Sequence, residues 1–190
     1  DATELAVGQM DRIVKWPWYS DECRAAVDQL LREGGGLSAY RSTPQSPLGP
    51  REGSWANRLE QLAQDLTGVY HAIACNSGTM ALLAGLKALN LPQPSRIVTS
   101  PFTFSATVAA ILHAGYQPVF GDVHPETYTL DPDVAPPGDC YLPVDLFGFR
   151  ASRDFPGLVV ADSCQAADPG FTLSPALWAT WSFNGHKNVP

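Results

Sequence analysis

The sequence lacks the features that mark membrane, secreted or nucleic-acid-binding proteins. No apolar run reaches the ~18 residues that a membrane helix needs. The first residues show no basic stretch followed by an apolar one, so the pattern of a signal peptide is missing. The net charge is -7 and the pI about 4.9, which argues against a surface for a phosphate backbone. We therefore expect a cytoplasmic protein with a small-molecule substrate, no nucleic-acid partner and no membrane partner.

Cysteine is sparse and widely spaced. The residues are Cys23, Cys75, Cys140 and Cys164, and they form no C-x-x-C pair. That spacing argues against a zinc or redox motif, so no metal site is predicted. We expect reduced, buried thiols. A G-K-[ST] sequence is also missing, which excludes a P-loop.

The 190 residues are enough for one sizeable core. Helix patterns alternate with short, continuously apolar segments, and this alternation is typical of a parallel sheet covered by helices. We predict an α/β fold with a mostly parallel central sheet and helices on both faces. Residues 1–50 form a helix and loop arm in this interpretation, and residues 51–190 form the α/β domain. The predicted strands are HAIAC, RIVTSP, QPVFGDV, CYLPVDLFG, GLVVADSC and WATWSF.

Two predicted helices near the N-terminus are amphipathic. The first is capped by Ser20 or Asp21, carries a stripe of Val27, Leu30 and Leu31, and is stopped by the glycines at 34–36. The second ends at Gly68. Its apolar face comprises Leu59, Leu62 and Leu66. Two more helices are predicted, SGTMALLAGLKALN and FSATVAAILHAG. The connection before GLVV is too short for a normal crossover helix, so the region 131–157 is abbreviated.

Ligands of open α/β sheets collect beyond the carboxyl ends of the strands, so the residues that follow each strand are candidates for a site. Gly78 and Thr79 open a helix after HAIAC, where free N–H groups would seat a phosphate; the alternative is an ordinary capped helix start. Phe102 and Phe104 follow the next strand. They lie on a flat heterocycle or pack in the core.

Two further strand ends carry ionisable residues. Asp162 ends a very apolar strand, where a carboxylate needs a partner such as a protonated ring nitrogen; the alternative is a helix cap. Gln165 is placed to donate to a neighbouring oxygen. Ser182 and Lys187 flank a turn after the last predicted strand. Lys187 is either the amine that bonds to an aldehyde cofactor or a solvated surface lysine.

The order of these segments resembles the DegT/DnrJ/EryC1/StrS sugar aminotransferases, which are pyridoxal-phosphate enzymes of the aspartate-aminotransferase fold. The resemblance spans nearly the whole chain. It is carried by KWPWYSDE, ACNSGTMALLAGLKAL, SPFTFSATVAAILHAGYQPVFGDVHPETYTLD, PVDLFG, VVADSCQAA and WSFNGHK.

The resemblance implies a role for each candidate. Lys187 would be the Schiff-base lysine and proton carrier, and Asp162 would keep the pyridine nitrogen protonated. Phe104 would stack on the ring, and Gln165 would touch its phenolic oxygen or face. The implied phosphate-binding residues are Gly78, Thr79 and Ser182, with Asn184 nearby in the F-N-G pattern. The implied reaction moves an amino group from an amino acid, commonly glutamate, to a nucleotide-linked keto sugar or a cyclitol, as in natural-product biosynthesis.

Family members continue beyond the lysine into a C-terminal small domain. We therefore expect this chain to be a fragment of a longer enzyme, half of a split enzyme, or a reduced paralogue. A homodimer, or a complex with a chain that supplies the C-terminal half, would complete the site. The alternative function is a non-catalytic, regulatory subunit that docks on a full-length homologue or partner chain.

Overall fold

The computed structural model describes residues 19–32, 55–167, 173, 175–185 and 187. Its centre is a four-stranded sheet in which every pairing is parallel, with the order β2-β1-β3-β4. The strands are β1 (Arg96–Thr99), β2 (Gln117–Phe120), β3 (Cys140–Tyr141) and β4 (Leu158–Val159). Two further parallel strands, β5 (Ala161–Asp162) and β6 (Ala179–Thr180), form a second small sheet. The predicted mostly parallel α/β fold is confirmed.

Two helices precede the sheet, and both have the predicted caps. Helix α1 (Asp21–Arg32) begins after Ser20, whose hydroxyl accepts a hydrogen bond from the N–H of Cys23 at 3.2 Å. Helix α2 (Trp55–Thr67) ends at Gly68, which adopts a positive φ of 72°. The glycines predicted to stop α1, at 34–36, lie outside the described residues.

Helices α3 (Gly78–Ala88) and α4 (Ser105–Ala114) cover one face of the sheet. Leu82 and Leu86 of α3 are buried against Ile111 of α4 and Ile97 of β1. Gly115 ends α4 with φ 93°, the left-handed conformation that glycine adopts without strain. This packing sets the first turns of both helices beside the carboxyl ends of the strands.

Loop residues cover the opposite face of the sheet. Val98, Tyr141 and Val159 form a second core cluster with Leu130 and Phe155, which come from segments between strands. The rings of Tyr141 and Phe155 stack with centroids 4.9 Å apart. Phe155 belongs to the short connection before β4, and that connection contains no helix. The prediction of an abbreviated connection is therefore confirmed.

A buried ion pair holds this short connection in place. Asp145 is 0% exposed, and its two carboxylate oxygens accept from one guanidinium nitrogen of Arg153 at 2.7 and 2.8 Å. The N–H of Ala151 and the hydroxyl of Ser163 also donate to Asp145, at 2.9 and 2.6 Å. Four donor contacts satisfy a charge that would otherwise be costly in the core.

The structure corrects the predicted strand at HAIAC. HAIAC is not a strand: Ile73 is 71% exposed, and the N–H of Ala74 donates to the Glu60 carboxylate at 2.8 Å. The predicted apolar stripes of α1 and α2 are exposed. The exposed residues are Val27, Leu31, Leu59, Leu62 and Leu66.

The four cysteines are free thiols, but only part of the burial prediction is correct. Cys140 is buried and Cys164 is half-buried, whereas Cys23 and Cys75 are exposed. The predicted strand CYLPVDLFG is shortened to β3, and GLVVADSC is divided by Val160 into β4 and β5. Every helix in the described ranges is too short or too polar to span a lipid bilayer.

Candidate functional site

The start of α3 forms a corner with Ser182 and Cys164. The Ser77 hydroxyl accepts from the N–H of Met80 at 3.2 Å and caps the helix. Gly78 and Thr79 come next, and N–H groups of a first turn have no partner within their helix. A Cβ on Gly78 would lie 2.8 Å from the Cys164 sulfur and 3.3 Å from Ser182 Cβ. Glycine is therefore required for the close approach of α3 to Ser182, and that approach adds a hydroxyl to the corner.

Asp162 is the buried carboxylate of the site. It ends β5, is 4% exposed and lies next to Ser163, which joins the ion pair described above. Its Oδ2 accepts from the Thr107 hydroxyl at 2.7 Å, and its Oδ1 accepts from the N–H of Cys164 at 3.1 Å. A carboxylate offers about four lone-pair positions, so Asp162 retains capacity for another donor. The alternative of a helix cap is excluded, because no helix follows Asp162 in the described residues.

Cys164 lies beside the carboxylate and the start of α3. Its sulfur is 3.6 Å from the Thr180 hydroxyl. Burial, and after it the negative charge of Asp162, raise the pKa of this thiol to about 12, while the positive charge of Lys187 acts in the opposite direction. The charges of the predicted acid and the predicted lysine therefore both act on one thiol.

A tight turn carries Lys187. The N–H of Lys187 donates to the carbonyl of Asn184 at 2.8 Å. The N–H of Asn184 in turn donates to the Ser182 hydroxyl at 3.4 Å. Lys187 is half-buried, unlike an ordinary surface lysine. The turn therefore links the backbone of Lys187, through Asn184, to the Ser182 hydroxyl.

Phe104 and Gln165 lie at the open side of the site. Phe104 precedes the first residue of α4 and is 65% exposed, so it is not a core residue. The side-chain oxygen of Gln165 accepts from the N–H of Phe147 at 3.2 Å, which leaves the amide N–H groups to donate elsewhere. Phe102 is also half-exposed, and its ring is 6.2 Å from the ring of Phe147. Phe104 lies three residues before Thr107, which donates to Asp162, and the common role of Phe104 and Asp162 stays a prediction.

Two contacts of the site were missed by the sequence analysis. Thr107 donates to Asp162, and Cys164 fills the space below Gly78. A hydroxyl residue within the mostly apolar helix SATVAAILHA was the available signal for Thr107. No signal in the sequence indicated the role of Cys164.

The arrangement combines hydrogen-bond donors, a buried carboxylate and an amine. The first turn of α3 and Ser182 present hydrogen-bond donors for an anion. Asp162 supplies a fixed negative charge, and Lys187 supplies an amine.

Comparison with known proteins identifies the family. Residues 41–148 match the sequence model of the DegT/DnrJ/EryC1/StrS aminotransferase family. The chain belongs to this family.

Curated DegT/DnrJ/EryC1/StrS relatives agree with this assignment. The chain is 32% identical over 146 residues to a 3-oxo-glucose-6-phosphate:glutamate aminotransferase of Bacillus subtilis, covering 68% of this chain and 33% of the relative. It is 31% identical over 139 residues to a UDP-2-acetamido-2-deoxy-3-oxo-D-glucuronate aminotransferase of Pseudomonas aeruginosa, covering 70% and 35%. The chain therefore spans about a third of the length of these relatives.

Solved structures confirm the fold. NtdA from Bacillus subtilis, with bound cofactor PMP, superimposes with a TM-score of 0.70 at 28% identity, covering 90% of this chain and 40% of NtdA. A 3-amino-5-hydroxybenzoic acid synthase gives 0.71 at 26% identity, covering 90% and 46%. The large-domain fold predicted from the family resemblance is thereby confirmed.

Proposed function

We propose that the protein is a pyridoxal-phosphate-dependent aminotransferase that moves an amino group from an amino acid to a keto sugar. The observation that carries the proposal is the geometry of Asp162, a buried carboxylate held by Thr107 and Cys164 with capacity for one more donor. A protonated pyridine nitrogen is a donor of the required charge. The bound cofactor would supply an electron sink for the bonds at the substrate's amino carbon.

The residues present fit this cofactor. The N–H groups of Gly78 and Thr79 and the hydroxyl of Ser182 would hold the phosphate, because the missing Cβ of Gly78 lets α3 approach Ser182. Asp162 would hold the proton on the ring nitrogen. Gln165 has amide donors left for the phenolic oxygen. Phe104 supplies an exposed ring for stacking on the cofactor.

Lys187 has two roles in the proposal. Its side-chain amine would hold the cofactor through its aldehyde. The same amine, once free, would accept and return a proton as a general base. The backbone of Lys187 is held by the carbonyl of Asn184, whose own N–H donates to the Ser182 hydroxyl.

The acceptor class follows from the relatives. Those above are named as acting on 3-oxo sugars, one phosphorylated and one UDP-linked. We propose a nucleotide-linked keto sugar or a cyclitol as the acceptor of the amino group. The proposed donor is glutamate, which is part of the name of the Bacillus subtilis relative.

Further polypeptide would complete the site in this proposal. Phe104, Phe102 and Phe147 are exposed around the opening, and contiguous apolar surface of this kind marks a contact site. A second copy, or a chain that supplies the C-terminal half, would cover it. The division at residue 50, the cytoplasmic location and the split or fragment state remain predictions.

The experiment is titration with pyridoxal phosphate. We expect a red-shifted absorbance band that saturates, and Lys187→Ala should abolish it. Lys87→Ala is the matched control, because Lys87 is exposed in the last turn of α3 and should leave the band unchanged. A band that survives Lys187→Ala would contradict the proposal.

The exposed apolar faces of α1 and α2 favour a second candidate, a non-catalytic subunit that docks on a homologue. In that case the purified protein should form a stoichiometric complex with its homologue in size-exclusion chromatography and show no band with pyridoxal phosphate. Turnover by the purified protein would exclude this candidate.

A further inference from the structure

Thr107 occupies an unusual place for a threonine in a helix. It is the third residue of α4, is 0% exposed and has apolar helix neighbours. A helical threonine commonly returns its hydroxyl to the carbonyl four residues earlier, and Thr67 does so with Ala63 at 2.6 Å. The hydroxyl of Thr107 instead donates to the Asp162 carboxylate at 2.7 Å. The sequence separation is 55 residues, so this bond joins two distant parts of the chain.

A second hydroxyl extends the contact. The Thr103 and Thr107 oxygens are 2.9 Å apart. An ionised carboxylate only accepts, so Thr107 must donate to Asp162 and accept from Thr103. The result is a chain of two oriented hydroxyl groups that ends on the carboxylate.

The two oxygens of Asp162 are held from different directions. Thr107 in α4 binds Oδ2, and the backbone N–H of Cys164 binds Oδ1. Two contacts on separate oxygens fix the plane of the carboxylate, whereas one contact would leave it free to rotate. The first turn of α4 also adds the partial positive charge of a helix N-terminus. Orientation and charge are therefore both set before any ligand arrives.

We propose that Thr107 is a positioning residue, which aims the Asp162 carboxylate at the ring nitrogen of the cofactor and so sets how strongly that nitrogen is held. The proposal rests on the proposed function. Thr107 itself does not touch the cofactor in this account. It acts through Asp162, and Thr103 supports it by orienting its hydroxyl.

The experiment compares two ligands across four proteins. The ligands are pyridoxal phosphate and its 1-deaza analogue, in which carbon replaces the ring nitrogen. The proteins are the wild type, Thr107→Val, Thr107→Ser and Thr99→Val. Thr99 is the matched control: it is equally buried, and its hydroxyl donates at 2.8 Å to the neutral carbonyl of Leu142. The readout is the ratio of the two dissociation constants, which a general loss of stability does not change.

In the wild type the pyridine should bind more tightly than the analogue, because only the pyridine can donate to Asp162. Thr107→Val should reduce that preference by roughly tenfold, the lower end of what a hydrogen bond to a charged group contributes. Thr107→Ser and Thr99→Val should retain it. A wild-type ratio in Thr107→Val would overturn the inference and leave the proposed function intact. Failure of the wild type to bind pyridoxal phosphate would overturn both.

Discussion

Replacing Arg153 by methionine should destabilise the fold strongly. Asp145 is 0% exposed, and the Arg153 side chain is 11% exposed, so both charges of this ion pair lie inside the protein. Removal of one partner of a buried pair typically costs about 3–5 kcal/mol, because the other charge stays buried without compensation. Asp145 keeps two donors, the N–H of Ala151 and the hydroxyl of Ser163. We therefore expect a loss of about 3 kcal/mol in the free energy of unfolding, at the lower end of this range.

Urea unfolding followed by tryptophan fluorescence measures this loss. With a slope of about 2 kcal/mol per molar, the midpoint should fall by about 1.5 M with little change in slope. The double variant Asp145→Asn, Arg153→Met is the control. It removes both charges and keeps a side-chain oxygen for the N–H of Ala151 and the hydroxyl of Ser163, so it should recover much of the lost stability. A loss below about 1 kcal/mol in the single variant, or no recovery in the double variant, would refute this reasoning.

Three further predictions follow from the surroundings of Cys164. Gly78→Ala should lower the free energy of unfolding by about 1–3 kcal/mol and weaken pyridoxal-phosphate binding, because the new Cβ would meet the Cys164 sulfur. Adding Cys164→Ala should relieve the stability loss, and thermal melts of the single and double variants measure it. Iodoacetamide at pH 8 should label the exposed Cys23 and Cys75 rapidly and leave Cys140 and Cys164 unlabelled, because burial raises the pKa of the last two thiols to about 12. Peptide mass spectrometry measures the labelling of each cysteine, and labelling of all four at one rate would contradict this prediction. Burial raises the pKa of both thiols from 9.0 to about 12, so their contribution to stability is complete below pH 9 and is lost as the pH rises towards 12. The loss should be roughly 1 kcal/mol each at pH 10 in urea unfolding, and the Cys140→Ala, Cys164→Ala double variant should lose less stability over this range.

The parts of the fold set by local pattern were predictable. The cap at Ser20, the glycine ends at Gly68 and Gly115, and the alternation of apolar strands with helices each depend on neighbouring residues. The parallel sheet followed from continuous apolar strands that are buried on both faces. These features need no knowledge of distant contacts, so the sequence alone was sufficient.

Features that depend on distant partners were not predictable. HAIAC has the composition of a strand, but a strand requires a neighbour, and in the structure the Glu60 carboxylate takes the N–H of Ala74 instead. The leucine stripe of α2 predicts a contact face without specifying what covers it. The bonds from Thr107 to Asp162 and from Arg153 to Asp145 depend on how segments meet in space.

The residues of the candidate site were chosen from the ends of predicted strands, and their roles stay predictions. The structure brings Gly78, Ser182 and Cys164 together, and the Asp162 carboxylate binds the N–H of Cys164. Phe104 is 65% exposed. Its place on the cofactor depends on the ligand and on the polypeptide that covers the site.

The most direct test of the central claim is reductive trapping. The protein is incubated with pyridoxal phosphate, reduced with borohydride, digested and mapped by mass spectrometry. The account predicts a phosphopyridoxyl group on the peptide that contains Lys187, while the chain's other lysines, Lys15 and Lys87, stay unmodified. No modification, or equal modification of all these lysines, would contradict it.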